Sequence, residues 1–174
     1  TALQWNTINQ TNATCNGSNT GSITSGASGG SGTINYTLLP GSIVNATGMF
    51  SSLPAGIYSV TASDANGCTL QTTFTITQPI ALSISNVQIT LPSCIPGNDG
   101  SIMITATGGT TTYQYTLGTS FQPGALFSTL AAGNYTITVK DAQGCTVTSN
   151  AAIASPASPV LTNLTLTHPP CNGQ

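Results

Sequence analysis

Charge is what this sequence most lacks. Of 174 residues, one is Lys or Arg and three are Asp or Glu. They are Lys140, Asp64, Asp99 and Asp141; Arg and Glu do not occur at all. Nucleic-acid binding, which needs cations to neutralise phosphates, is therefore not expected. A polybasic route to anionic membrane surfaces is missing for the same reason. No apolar run approaches the ~18 residues that a membrane span requires. Thr, Ser, Asn and Gly must hydrate the surface in place of charge.

Catalytic and metal-binding side chains are almost as scarce. The one histidine, His168, aligns with Leu91 and Asn12 in the repeat described below, so it belongs to no repeated site. General acid–base chemistry needs a positioned partner, and no Glu exists to orient it. The chain is read as no enzyme. Cysteines at the close spacings that zinc favours are absent. Calcium sites gather six to eight oxygens, usually from several carboxylates. Asp64, Asp99 and Asp141 each stand alone in a turn, where an Asp side chain bonds the local backbone. They are read as structural turn aspartates, with a weak calcium site as the lesser alternative and no other cofactor. Lys140, the sole lysine, is replaced by Ser63 in the earlier repeat, which argues against a Lys–Asn isopeptide crosslink.

What is present is a repeat. The stretch Leu130 to Cys145, LAAGNYTITVKDAQGC, copies Leu53 to Cys68, LPAGIYSVTASDANGC, 77 residues earlier. Leu53, Gly56, Tyr58, Asp64, Gly67 and Cys68 align with Leu130, Gly133, Tyr135, Asp141, Gly144 and Cys145. Upstream, Trp5 aligns with Ile84, Cys15 with Cys94, Gly29-Gly30 with Gly108-Gly109, and Tyr36 with Tyr115. Such self-similarity marks a modular array. The expected units are 1–79, 80–156, and 157–174 as the opening of a third. The start, Thr1-Ala2-Leu3-Gln4-Trp5, has neither a basic segment nor an apolar core. The chain is accordingly expected to be a window on a longer secreted protein.

Each unit reads as six or seven short strands. In the second they are expected near 81–91, 101–107, 112–117, 125–129, 134–140 and 145–154. Ser101 to Thr105 and Tyr135 to Val139 alternate apolar and polar with a period of two. Asp141-Ala142-Gln143-Gly144 is a tight turn with Gly at the positive-φ position. Strand number and turn spacing predict all-β, tandem immunoglobulin-like or fibronectin-like β-sandwiches of about 77–79 residues. Tyr58 and Tyr135 resemble the tyrosine corner of such folds, whose hydroxyl bonds back to nearby backbone. Trp5, Tyr113 and Phe121 do not recur as aromatics and are candidates for exposed contact.

The cysteines at 15, 68, 94, 145 and 171 recur with the repeat and read as disulfides of an oxidising compartment. Matched copy number favours Cys15–Cys68 and Cys94–Cys145, each worth roughly 4 kcal/mol in the chain-entropy picture. Cys171 is then left for a partner beyond residue 174. One difficulty stands against this register. In a seven-strand sandwich these positions tend to lie at opposite ends, and bonded Cα atoms come within about 7 Å. Two ways out are open: the first strand ends early, or the bridge links Cys15 to Cys145 of the next unit.

The ordered set Cys15-Asn16-Gly17, Gly21-Ser22-Ile23, Gly29-Gly30, Leu53 to Cys68 and Gln78-Pro79 resembles the SprB-type repeat of large Bacteroidota surface proteins, gliding-motility adhesins among them. Gly100-Ser101-Ile102, Gly108-Gly109, Leu130 to Cys145 and Pro156 carry the same pattern. Cys94-Ile95-Pro96 departs from Cys-Asn-Gly, and Thr112-Tyr113 and Leu117 stand where a Pro-Tyr and a Trp are usual. The resemblance implies type IX export, placement on the outer surface of a Gram-negative cell, and a stalk or adhesive filament. The partners expected are neighbouring repeats of the same chain, filaments associating laterally, and surface glycans. A lectin-like module using loop tyrosines and a passive spacer on a secreted enzyme are the rival readings.

Overall fold

The computed structural model describes residues 1–94, 96–118 and 120–157. Residues 158–174, and with them His168, Cys171 and nearly all of the expected third unit, lie outside the described residues. Thirteen strands are formed among those described. The first seven are β1 (Gln4–Thr11), β2 (Gly21–Ser28), β3 (Asn35–Leu39), β4 (Ile43–Asn45), β5 (Met49–Leu53), β6 (Gly56–Ser63) and β7 (Thr69–Ile76). They form a three-stranded sheet, β1-β2-β5, facing a four-stranded one, β4-β3-β6-β7, with every pairing antiparallel.

The second sandwich repeats this plan. Its strands are β8 (Ser83–Thr90), β9 (Gly100–Thr107), β10 (Gln114–Thr116), β11 (Leu126–Leu130), β12 (Gly133–Lys140) and β13 (Thr146–Ile153). Sheet β11-β9-β8 opposes sheet β10-β12-β13. The fold is all-β, two immunoglobulin-like sandwiches in series. The strands fall within two residues of every position expected from alternation.

Period-two alternation delivers each core. On β6, Tyr58, Val60 and Ala62 point inward, and on β12 Ile137 and Val139 are fully buried. The first core gathers Ile23, Leu38, Phe50, Val60, Phe74 and Ile76 among others; the second centres on Ile102, Ile104, Ile137, Val139 and Ile153. Each such side chain contributes roughly 1.5–3 kcal/mol on leaving water. The cores are separate clusters, so each sandwich is stabilised mainly from within.

Strand direction gives each sandwich two poles. The leading pole of the first holds Thr1, the Gly29-Gly30 turn and the β6–β7 turn that ends at Cys68. The trailing pole holds the β1–β2 loop with Cys15, and the end of β7, where the Ala13 amide donates to the Thr77 carbonyl at 2.9 Å. The glycine pair is required where it sits. At Gly108 (φ +75) a Cβ would fall 2.0 Å from the Ala81 carbonyl oxygen, and at Gly109 one would fall 2.6 Å from the Asp141 carboxylate. Gly29 and Gly30 occupy the same positions in the first sandwich.

Candidate functional site at the joint between the sandwiches

The place where side chains from both sandwiches meet covalently is their joint. Cys15 in the β1–β2 loop is bonded to Cys145, just before β13, with Cα atoms 5.7 Å apart and a sequence separation of 130. The trailing pole of one unit is thereby fastened to the leading pole of the next.

Each half of the bridge is shaped by its own turn. On the leading side, Asp141 folds the β12–β13 turn around its carboxylate. Its Oδ1 accepts the Gln143 and Cys145 amides, both at 2.9 Å, and its Oδ2 accepts the Thr110 amide at 2.8 Å. Gly144, at φ 83, lets the chain reverse before Cys145. On the trailing side, the Ser18 hydroxyl donates to the Cys15 carbonyl at 2.9 Å, and Gly17 takes φ 74.

The same trailing loop grips the connecting segment. The Asn16 side-chain amide donates to the Pro79 carbonyl at 3.0 Å, and the Gly17 amide donates to Gln78 Oε1 at 2.7 Å. The Thr77 amide donates to Asn12 Oδ1 at 3.0 Å. Cys15, Asn16, Ala81, Leu82, Cys145 and Thr146 line a shallow cleft shared by the two units. Three hydrogen bonds thus fix the start of the linker to the first sandwich, and one covalent bond crosses to the second.

This register corrects the pairing expected within each unit. Cys15 lies in the loop where β1 ends and β2 begins, and Cys68 in the turn where β6 ends and β7 begins. The two cysteines are therefore at opposite poles, separated by an eight-residue strand of roughly 27 Å. No disulfide spans that distance. Cys68 and Cys94 are free thiols among the described residues, both exposed.

The remaining singled-out residues are mostly architectural in position. Asp64 accepts the Asn66 and Cys68 amides on Oδ1, at 3.0 and 2.8 Å, and the Ser31 amide on Oδ2 at 3.0 Å. The Cys68 amide leads the hydrogen bonds that hold its pKa below the ordinary 3.8, against a smaller opposing effect of burial. Asp99 is held low mainly by the Ser93 hydroxyl, which donates to it at 2.6 Å. The Tyr58 hydroxyl donates to the Pro54 carbonyl at 3.0 Å, and that of Tyr135 to the Ala131 carbonyl at 2.8 Å. Leu53 is buried in the first core, and Leu130 packs against the second. Gly56 and Gly133 open β6 and β12; Gly67 reverses the turn before Cys68 at φ 81.

Two of the three aromatics expected to make exposed contacts turn inward instead. Trp5 is half-buried on the first core, its ring centroid 6.3 Å from that of Tyr36. Tyr113 packs on the second core and donates its hydroxyl to the Gly108 carbonyl at 2.7 Å. Phe121 is exposed, with Lys140 Nζ 4.3 Å from its ring centroid. Among the described residues, no three His, Cys, Asp or Glu side chains gather as metal ligands would. Nor is any helix there long and apolar enough to cross a membrane.

Comparison with known proteins finds one and the same repeat in both units. A family model described as the SprB repeat matches residues 7–43 and 86–120. These segments begin 79 residues apart, the offset that also separates Cys15 from Cys94. The resemblance read from the motifs is thereby borne out in both units. Among solved structures, the chain is similar to a C-terminal 282-residue fragment of intimin in complex with the intimin-binding domain of the translocated intimin receptor. That likeness has 15% identity and a TM-score of 0.43, covering 87% of this chain and 64% of the fragment. The chain thus spans less than two thirds of the intimin fragment. It is also similar to the IG1+IG2 pair of DIP-gamma, with 11% identity, a TM-score of 0.42, and 91% and 99% of the two chains covered. No curated protein matches the sequence.

Proposed function

We propose that the chain is a structural segment of a long surface protein, serving adhesion or gliding as a stalk or fibre. The observation that carries this reading is the Cys15–Cys145 bridge, which spends its covalent chemistry on holding one unit to the next. A filament has a use for a crosslink placed between repeats, because its reach depends on every joint keeping its angle. The hydrogen bonds from Asn16 and Gly17 to the linker work to the same end. The principal partner on this reading is the neighbouring repeat.

Type IX export and attachment to the outer surface of a Gram-negative cell complete the proposal, on the strength of the SprB matches. Lateral association is a further part of it. With four charged side chains in all, adjacent filaments meet little electrostatic repulsion. Met49, Met103 and Leu126 add exposed apolar surface on the three-stranded sheets. The inward turn of Trp5 and Tyr113 removes two of the aromatics on which the glycan-binding alternative leaned.

Negative-stain imaging of the chain before and after reduction tests the reading. Stiff two-lobed particles of constant angle are expected when oxidised, and a wider spread of angles after reduction. Oxidised particles as variable as reduced ones would refute it.

A further inference from the structure

The two free thiols occupy the outer poles of the pair of sandwiches. Cys68 stands at the leading pole of the first and Cys94 at the trailing pole of the second. Each is the repeat counterpart of a cysteine that is bonded: Cys68 of Cys145, and Cys94 of Cys15.

For Cys68 and Cys145 the equivalence extends to the turns that present the sulfurs. Asp64 receives the Cys68 amide at 2.8 Å and Asp141 the Cys145 amide at 2.9 Å. The Asp64 amide donates to the Cys68 carbonyl at 3.0 Å, as the Asp141 amide does to the Cys145 carbonyl at 2.9 Å. Gly67 and Gly144 share the left-handed conformation, at φ 81 and 83. The trailing pole also has an apolar surface ready for a neighbour. Cys94 lies in a cleft with Pro92, Pro96, Ala131 and Pro156. The two thiols themselves, at opposite ends of two sandwiches in series, are out of each other's reach within one chain.

We propose that Cys68 and Cys94 are half-sites for further bridges between units. Cys94 takes the last cysteine of a following unit, and Cys68 takes the first cysteine of a preceding one. The occupant in both cases is another unit of this repeat, and a tandem array is stapled pole to pole at every joint. The inference rests on the reading of the chain as part of an array. Chemically, two thiols give up two protons and two electrons as one S–S bond forms. A disulfide oxidant of the oxidising compartment accepts them and leaves as two thiols.

The test keeps the whole chain and adds one unit. A second copy of residues 80–156 is joined ahead of Thr1, so that Pro156 precedes Thr1 as Pro79 precedes Ile80. Cys94 of the original unit is changed by Cys94→Ser, leaving that of the added unit as the sole Cys94. The protein is oxidised with glutathione disulfide, labelled with iodoacetamide, and mapped by mass spectrometry without reduction.

The expected result is a peptide crosslinked between the added unit's Cys94 and Cys68, beside the Cys15–Cys145 crosslink. Labelling of Cys68 should fall about tenfold relative to the unextended chain, because a bonded sulfur has no thiolate to alkylate. Cys68→Ser in the extended protein should restore labelling of the added Cys94. Full labelling of Cys68 while Cys15–Cys145 forms would overturn the proposal, and so would a Cys15–Cys68 crosslink. Failure of Cys15–Cys145 to form would remove the register on which it is built. Imaging of the same protein separates this outcome from the filament reading, since stiff three-lobed particles with Cys68 unbonded would refute the ladder alone.

Discussion

Asp64 and Cys68 are joined by a 2.8 Å hydrogen bond in which the cysteine amide donates to the carboxylate. Two more amides, those of Asn66 and Ser31, converge on the same side chain. These bonds favour the ionised form, so the folded-state pKa lies below the unfolded value near 3.8. A carboxyl depressed in the folded state stabilises above the unfolded pKa, and loses that contribution as pH falls through the folded one. The first sandwich should therefore hold a constant melting temperature above about pH 5 and lose it progressively below pH 3.8. Asp99 acts in the same sense in the second sandwich. The diagnostic measurement is thus the difference between wild type and Asp64→Asn: the variant should be less stable at pH 7, and the gap should narrow in acid. A gap independent of pH would rule this account out.

The tyrosine hydroxyls offer a paired experiment. Tyr58 is buried and Tyr135 half-buried, but both donate to a carbonyl four residues back. Tyr58→Phe should cost about 1–2 kcal/mol in urea denaturation, since the bond from the buried Tyr58 hydroxyl to the Pro54 carbonyl is only partly open to water. Tyr135→Phe should cost less, roughly 0.5 kcal/mol, because solvent can replace the lost donor. Equal losses would show that burial does not decide the cost.

Two residues without the freedom of glycine hold left-handed backbone at the same place in each unit. Ser52 and Thr129 both have φ 58, where β5 and β11 slip register against their neighbours. A side chain costs about 1–3 kcal/mol in that region, and more readily so when β-branched. Thr129→Gly should therefore be neutral to stabilising by up to about 1 kcal/mol, despite the greater entropy of glycine in the unfolded chain. Destabilisation beyond 1 kcal/mol would mean that the Thr129 side chain does something the backbone alone does not reveal.

Alanine at two glycines separates conformational strain from collision. Gly67 and Gly108 have nearly the same φ, 81 and 75, but a Cβ at Gly67 meets nothing within 4 Å while one at Gly108 meets the Ala81 carbonyl oxygen at 2.0 Å. Gly67→Ala should cost about 1 kcal/mol from backbone strain alone. Gly108→Ala must also move the segment leading into β8, and should exceed it by at least about 2 kcal/mol. Thermal unfolding of the two variants side by side makes the comparison.

Legibility in the sequence differed sharply between fold and joint. Alternation in Ser101 to Thr105 and Tyr135 to Val139 is local, and it located the strands because each side chain answers to its own sheet face. Bridge register is not local. It depends on how many times the chain crosses the sandwich, and matched copy number carries no information about crossings. The seven-strand plan itself sets Cys15 and Cys68 at opposite ends, and the structure decides for it over copy number. The aromatics were misplaced for a different reason. Trp5 aligns with Ile84 and Tyr113 with Ile34, all four of which pack on a core. The position recurs although the aromatic ring does not. Phe121 lies between β10 and β11, where the two units differ in length, and alignment places no constraint on it.

The bridge has a further consequence when the chain is pulled from its ends. Tension entering at Thr1 reaches Cys15, crosses the sulfurs to Cys145, and leaves through β13. The stretch enclosed by the bridge, a sequence separation of 130, is bypassed, which withholds roughly 440 Å of extensible contour from the force. Stretching can peel β1 and β13 but cannot unravel the sheets between them until the sulfurs part. Reduction would turn a nearly inextensible tether into a shock absorber.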